Sequence, residues 1–295
     1  MRRLIINADD LGLTAGVNRG IFECLTQGVV TSATLMANAA CSVDAAAAVS
    51  SPSFSAGKPL PSIGCHVVLV DGKPVLQSDS IKTLVPNSTG SFRSSLVNLM
   101  SAAAIRRLDS SEIAAEAEAQ LRKLQSAGVR LSHVDTHKHV HLHPAILKPL
   151  LLSAHSCGVR SIRNPFAPVK PLAFAHLMRR PHLWKRYTEV KILRGWEAGF
   201  RQCVADHGMV TTDGTFGIVS TGALDLRLFA AIIGCIPEGT WEFCCHPGYN
   251  DAALATVKTR LRDSRVRERE VLTSSAARKI IEQQGIELIS YLDLP

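Results

Sequence analysis

Hydrophobic positions along the chain follow two periods, and they change over about every fifteen residues. Residues 3–8 (Arg-Leu-Ile-Ile-Asn-Ala) form a short apolar run that reads as a buried strand and delivers Asp9-Asp10 at its C-terminal end. Val17, Ile21 and Leu25 then recur at four-residue spacing, predicting a helix over 15–27 that Gly28 closes. A strand over 31–38, an Ala-rich helix over 44–50 and a Ser/Pro/Gly linker over 52–61 follow, then a strand over 63–69. Polar residues with scattered Gly and Pro make 71–92 a long loop. A helix over 108–125 starts on Ser110 or Ser111, carries Glu112 and Glu116 early and Arg122 and Lys123 late, and stops at Gly128. Beyond residue 144 the pattern predicts a helix over 145–155 and a strand over 159–163. It continues with strands over 216–221 and 240–245 separated by a helix, a helix over 266–283 and a last strand over 286–292. No repeat of fixed period appears. Strands alternating with helices in this way predict a parallel α/β architecture, here one domain over 1–295.

One stretch departs from both periods in composition. Residues 132–144 read Ser-His-Val-Asp-Thr-His-Lys-His-Val-His-Leu-His-Pro and hold five of the chain's eleven histidines. His133, Asp135, His137, His139, His141 and His143 are all odd-numbered, with Val134, Val140 and Leu142 between them. In an extended segment alternate side chains share a face, so a strand here would line up the imidazoles and the carboxylate on one side. Imidazole is the commonest protein metal ligand, and a fortuitous His-rich tract rarely carries an interleaved apolar row. The stretch reads as a metal site.

Composition narrows the setting. With 295 residues, 46% hydrophobic and 20% charged, the chain is of ordinary globular type. A net charge of +8 and pI near 9.2 bring anionic partners into view. Most of that charge is local: from Lys170 to Arg201 there are eight Lys/Arg against two acids, in a proline-broken, aromatic segment at 165–201. There Phe174, Leu177 and Met178 have the spacing of a helical apolar face, and Trp184 and Tyr187 suit a membrane interface. The eight cysteines form no CxxC pair, so neither a zinc ribbon nor a disulfide framework is expected. The apolar run before Asp9 is too short for a signal-peptide core, and no run approaches the roughly 20 residues of a membrane span. The expected compartment is the cytoplasm.

Asp9-Asp10, His66, the histidine run and His246 would each end a different strand, where catalytic groups gather in parallel α/β folds. Singly, each has a plainer reading: a loop with a helix cap for Asp9-Asp10, a core histidine for His66, a turn histidine for His246. Together they supply carboxylate and imidazole ligands for one divalent ion, with a carboxylate and an imidazole to spare. Such a set suits Zn, Fe, Mn or Co and tolerates Mg less well.

Asn7-Ala8-Asp9-Asp10-Leu11-Gly12, Gly64-Cys65-His66-Val67-Val68-Leu69, the run from His133 to His141 and Cys245-His246-Pro247 strongly resemble the YdjC-like (ChbG-type) carbohydrate deacetylase family. The resemblance spans essentially the whole chain. It implies a distorted (β/α) barrel, TIM-barrel-like, that removes acetyl groups from N-acetylated sugars with one divalent metal, Mg or Zn, with Mn or Co as alternatives. It implies Asp10, His66 and His137 as metal ligands, Asp9 as general base, His246 as general acid and Arg163 as the holder of Asp9. His139 and His141 then become substrate contacts or supports behind the ligands. Val68-Leu69-Val70-Asp71-Gly72-Lys73-Pro74-Val75-Leu76 looks most like the hopanoid-associated HpnK branch, which implies an N-acetylglucosaminyl group on a hopanoid lipid as substrate. The partners expected are therefore an N-acetylated sugar or glycolipid and an anionic membrane face, with no nucleic acid; the sequence leaves the oligomeric state open. The alternatives are a deacetylase of soluble chitooligosaccharides, a barrel metallohydrolase with a second metal, and a non-catalytic sugar- or lipid-binding protein.

Overall fold

The computed structural model describes residues 1–54, 60–86, 90–170, 172 and 174–295. The linker and the long loop expected at 52–61 and 71–92 thus lie partly outside the described residues, at 55–59 and 87–89. Nine strands are described: β1 Arg2–Leu11, β2 Ser32–Leu35, β3 Ser62–Val67, β4 Leu131–Thr136, β5 Ser161–Ile162, β6 Val210–Thr211, β7 Thr215–Phe216, β8 Gly239–Cys245 and β9 Glu287–Leu288. All pair in parallel, in the order β6-β5-β4-β3-β2-β1-β8-β7, with β9 on β1. The edge strands β6 and β7 are consecutive in the chain. Thr211 and Thr215 stand four residues apart, a span of at most about 14 Å, so the sheet must curl until its two edges nearly meet. The gap is bridged by the segment after β5: Thr215 N–H donates to Phe166 O at 2.9 Å and Thr215 Oγ1 to Asn164 O at 2.5 Å. The result is a distorted (β/α) barrel.

Strand side chains alternate between two environments. Leu4, Ile6 and Ala8 of β1, Cys65 and Val67 of β3, and Trp241, Phe243 and Cys245 of β8 join the main apolar core. The residues between them point into the lumen, which is polar: Asn7, Asp9, His66, His133, Asp135 and Glu242 are all buried there. Ile5, Ile289 and Tyr291 form a small apolar floor beneath them. Both strand faces are therefore buried but only one is apolar, so polar residues such as Asn7, His66 and Glu242 interrupt or end the apolar runs.

The structure corrects several expected elements. β4 ends at Thr136, because Lys138 and His139 take left-handed backbone angles (φ 58° and 53°) inside a 3₁₀ segment, His137–Leu142. The histidines beyond 136 consequently do not share one strand face. The helix expected over 266–283 is two, Asp263–Thr273 and Ser275–Gln283, since Ser274 is extended and caps the second with its hydroxyl on Ala277 N–H. The last strand shortens to β9, followed by a 3₁₀ turn at Tyr291–Asp293 with a capping box from Ser290. The strand expected over 216–221 is the two-residue β7. The cap of the helix Ser110–Ser126 is Asp109, which accepts from Ser111 N–H. β6 and the helix Leu96–Ala104 were not anticipated. In the basic segment Leu177 and Leu183 are buried while Met178 and Trp184 are exposed, so Leu177 and Met178 do not form one apolar face. The side chain of Phe174 lies outside the described residues.

Gly217 opens the turn after β7 at φ +94°, and a Cβ there would run into the carbonyl oxygen of Cys244. Gly217→Ala should therefore destabilise the protein by at least about 2 kcal/mol, from left-handed strain and displacement of β8. A urea midpoint equal to that of the parent would contradict this packing.

Candidate metal centre and its ion network

Asp9 and Asp10 sit at the end of β1, and the alternation of the strand sends their carboxylates in different directions. Asp10 takes a positive φ of 68°, and its carbonyl accepts from Leu13 N–H at 3.1 Å. Its Oδ2 accepts from Arg265 Nη2 at 2.5 Å. Its Oδ1 is buried with no hydrogen-bond donor, and faces His66 Nε2 at 3.6 Å and His137 Nδ1 at 3.5 Å. One carboxylate oxygen and two imidazole nitrogens from three strand ends therefore converge with ligand atoms within 4.8 Å of one another. A buried, unpartnered carboxylate oxygen between two imidazoles fits a divalent cation, and the mixed N/O set suits Zn, Mn or Co better than Mg. Burial opposes ionisation of Asp10, but Arg265 and His137 outweigh it and hold its carboxyl well below the usual range.

His66 is oriented from behind. Asp135 Oδ1 lies 2.7 Å from its Nδ1, leaving Nε2 to face Asp10. This carboxylate–histidine pairing is the usual support of a metal-ligating imidazole. Burial works against a charged ring, yet Asp135 raises the His66 pKa to about 9. A proton and a cation thus compete for the same Nε2 lone pair.

Behind this centre lies Arg163, immediately after β5 and fully buried. Its Nη1 and Nη2 donate to Asp9 Oδ2 and Oδ1 at 2.8 and 2.6 Å, and its Nε and Nη2 donate to Glu242 Oε1 at 2.8 and 2.6 Å. Nη1 also pairs with Asp135 Oδ2. Burial would lower the Arg163 pKa, but Asp135, Asp9 and Glu242 hold it charged. Burial likewise disfavours an ionised Asp9, and the Arg163 charge reverses this, so Asp9 stays ionised far below neutral pH. Asp9, His66 and Asp135 also bring ligand atoms together as a second group. The Arg163 guanidinium already serves as the cation of Asp9 and Asp135, which leaves that group no call for a metal.

The remaining predicted residues separate. His246, just past β8, brings Nε2 to 3.8 Å from Asp9 Oδ2, and its buried Nδ1 has no partner. His139 is part-buried with Nδ1 unpartnered, and burial depresses its pKa to about 3. His141 is fully buried with both ring nitrogens engaged. Nε2–H donates to the Arg163 carbonyl at 3.1 Å, which leaves Nδ1 to accept the Thr136 hydroxyl at 2.6 Å. His141 therefore holds the turn after β4 against the end of β5, with no ring nitrogen free for a sugar. His133 stacks on Tyr291, ring centroids 3.6 Å apart, in the lower lumen.

Sequence reasoning left Glu242, Arg265 and Glu268 out of the site and gave Asp135 no role of its own within the histidine row. Asp135 stood in the histidine run, and Glu242 interrupts the apolar Trp241–Cys245 run; a lone carboxylate in a buried strand is a usable signal. Arg265 and Glu268 carry none, since they look like their exposed neighbours Arg267 and Glu270.

A family profile described as YdjC-like protein matches residues 3–283. Carbohydrate deacetylases of Brevibacillus brevis and Geobacillus stearothermophilus are each 31% identical to the chain. The first match covers 99% of both sequences; the second covers 98% of this chain and 97% of the relative. Among solved structures, an Enterococcus faecalis protein named for a proposed cellobiose-phosphate cleavage superposes with a TM-score of 0.77 at 25% identity, covering 99% of this chain and 98% of that one.

Replacing Asp135 by Asn would put a neutral amide in place of the carboxylate that fixes the His66 tautomer. Zn²⁺ affinity, measured by competition titration, should fall about 10- to 100-fold. Unchanged affinity would exclude His66 support as the role of Asp135.

Proposed function

The chain belongs to the YdjC-like family, and on that footing we propose that residues 1–295 form one carbohydrate N-deacetylase domain. The reaction is hydrolysis of an acetamido group on a sugar to acetate and a free amine. The observation that carries this reading is the pair Asp9 and His246, 3.8 Å apart beside the Asp10–His66–His137 cluster and outside its ligand set. Structural ions are usually enclosed by protein ligands, whereas a catalytic centre keeps acid–base groups beside an open side.

In this reading Asp10 Oδ1, His66 Nε2 and His137 Nδ1 would hold one divalent ion, a set that suits Zn²⁺, Mn²⁺ or Co²⁺ and tolerates Mg²⁺ less well. When bound, the ion polarises the acyl carbonyl and makes water more acidic. Asp9, kept ionised by Arg163, orients the attacking water and accepts its proton. The same clamp makes Asp9 a weak base, so its task suits an acidified water rather than a free one. His246 Nε2–H gives a proton to the sugar nitrogen as the C–N bond breaks. His139, with its free Nδ1, is the substrate contact of the pair named from sequence, and His141 supports the turn that carries it.

Asp9→Asn retains shape but cannot accept a proton at neutral pH. It should lower kcat at least ~10²-fold while bound metal, by elemental analysis, is unchanged. His66→Ala should lose the metal, and chelation should abolish acetate release by the parent protein. Loss of metal in Asp9→Asn would make Asp9 a ligand and overturn the division of labour. A chelator-insensitive parent would overturn the metal mechanism.

The finer reading places the chain in the hopanoid-associated branch, acting on N-acetylglucosamine carried by a hopanoid lipid at a membrane face. Supporting it, the helix Trp184–Leu193 buries none of its residues, and Trp184, Ile192 and Trp196 are exposed beside Lys185 and Lys191. No described helix is long and apolar enough to cross a membrane, so contact would be peripheral. Each Lys or Arg near an anionic bilayer adds about 1 kcal/mol, screened by salt. Arg180 and Arg186 are already engaged, by Asp225 and by the Thr221 carbonyl, so Arg179, Lys185 and Lys191 are the charges to remove. Replacing these three by Ser should abolish low-salt sedimentation with phosphatidylserine vesicles and leave activity on a soluble N-acetylglucosaminide intact. If the parent shows no preference for anionic over neutral vesicles, soluble chitooligosaccharides become the better substrate class.

A further inference from the structure

A helix packed on a barrel normally buries an apolar stripe. The helix Asp263–Thr273 buries Val271 and Leu272 but also turns Arg265 and Glu268 inward, at 1% and 2% exposure, while Arg267 and Glu270 of similar chemistry face solvent. Burying a guanidinium and a carboxylate is costly unless each has a partner. Each has one partner in the candidate site, Asp10 for Arg265 and His246 for Glu268. Arg265 Nη2 donates to Asp10 Oδ2 at 2.5 Å, its Nε donates to Leu261 O at 3.2 Å, and its own carbonyl accepts from Gly248 N–H at 3.1 Å. Glu268 Oε2 accepts the backbone N–H of His246 at 2.6 Å, and its Oε1 that of Gly222 at 3.3 Å.

We propose that Arg265 and Glu268 are positioning residues that set the two halves of the site separately from one helix face. Arg265 occupies one oxygen of Asp10, a residue already held at positive φ, and so presents the other oxygen to His66 and His137. The carboxylate is thereby limited to donating through Oδ1 alone. Glu268 anchors the backbone of His246 at the point where the chain leaves β8, which fixes where the imidazole stands relative to Asp9. One turn of helix thus links the ligand carboxylate to the proton donor without joining their functions. The Arg265 half depends only on the cation site, whereas the Glu268 half rests on the deacetylase reading.

The test uses the full chain and three readouts: Co²⁺ and Zn²⁺ affinity, steady-state acetate release, and the ring NMR resonances of His246. Arg265→Ala should weaken both metals at least tenfold, and Arg265→Lys should recover part of that loss. Glu268→Ala should leave metal affinity within about twofold of the parent. It should also shift the His246 ring resonances and lower kcat at least tenfold, with KM changed less than threefold. If an Ala variant does not fold, Arg265→Lys and Glu268→Gln carry the same comparison at smaller amplitude. A purely structural helix predicts the opposite pattern: both substitutions would lower metal affinity and kcat together, in proportion to their loss of Tm. That result, or unchanged or tighter metal binding in Arg265→Ala, would overturn the proposal. A parent protein that binds metal but releases no acetate would refute the deacetylase reading. The metal arm for Arg265 and the NMR arm for Glu268 would still decide the positioning roles.

Discussion

A single buried guanidinium, Arg163, organises this barrel. It hydrogen-bonds Asp9 at the end of β1 and Glu242 within β8, and pairs with Asp135 within β4. These strands are not all neighbours in the sheet, so the contacts can form only when the sheet curls and the lumen closes. Removing one partner from such a buried cluster leaves uncompensated charge and typically costs about 3–5 kcal/mol. An apolar lumen of the same volume could be as stable, so the network is better understood as serving the site than the fold. Glu242 is itself held from the other side, since its Oε2 accepts from Tyr291 O–H at 2.6 Å. Tyr291 lies in the barrel floor with Ile5 and Ile289, which ties the end of the chain to the position of Arg163.

Asp135 belongs to the network and also supports the candidate metal centre from behind. One of its oxygens faces His66 and the other faces Arg163. The same carboxylate therefore orients a candidate ligand and pairs with the arginine that keeps Asp9 ionised. On the far side Arg265 treats Asp10 as Arg163 treats Asp9, so each of two adjacent carboxylates has its own buried arginine. The asymmetry between them is geometric. Arg163 takes both oxygens of Asp9, whereas Arg265 takes one oxygen of Asp10 and leaves the other without a donor. That difference leaves Asp10, and not Asp9, with an oxygen that no arginine occupies.

Four of the nine buried polar side-chain atoms without partners among the described residues gather at one place: Asp10 Oδ1, His139 Nδ1, His246 Nδ1 and Arg265 Nη1. Each belongs to a side chain at or directly behind the mouth of the barrel. The turn from His137 to Leu142 contributes by its backbone rather than by strand alternation. Left-handed angles at Lys138 and His139 let His137 point to Asp10, while His141 points down to the Arg163 carbonyl.

Local sequence determined a good deal. Apolar runs and helical spacing are properties of neighbouring residues, so the parallel α/β alternation and most element positions could be read directly. So could the delivery of Asp9-Asp10, His66 and His246 by separate strand ends. The choice of His137 from five histidines came from family resemblance; spacing predicted one strand face and could not foresee two left-handed residues. Tertiary structure alone decided which charges are buried. Arg265 and Glu268 look like ordinary members of a charged surface helix, because burial depends on where that helix lands against β1 and β8. Glu242 and Asp135 are visible as anomalies in apolar or histidine-rich runs, yet their shared partner Arg163 lies on another strand, far away in sequence. Pairing energies between distant charges leave no periodic mark on a chain, and they appear only once the sheet has curled.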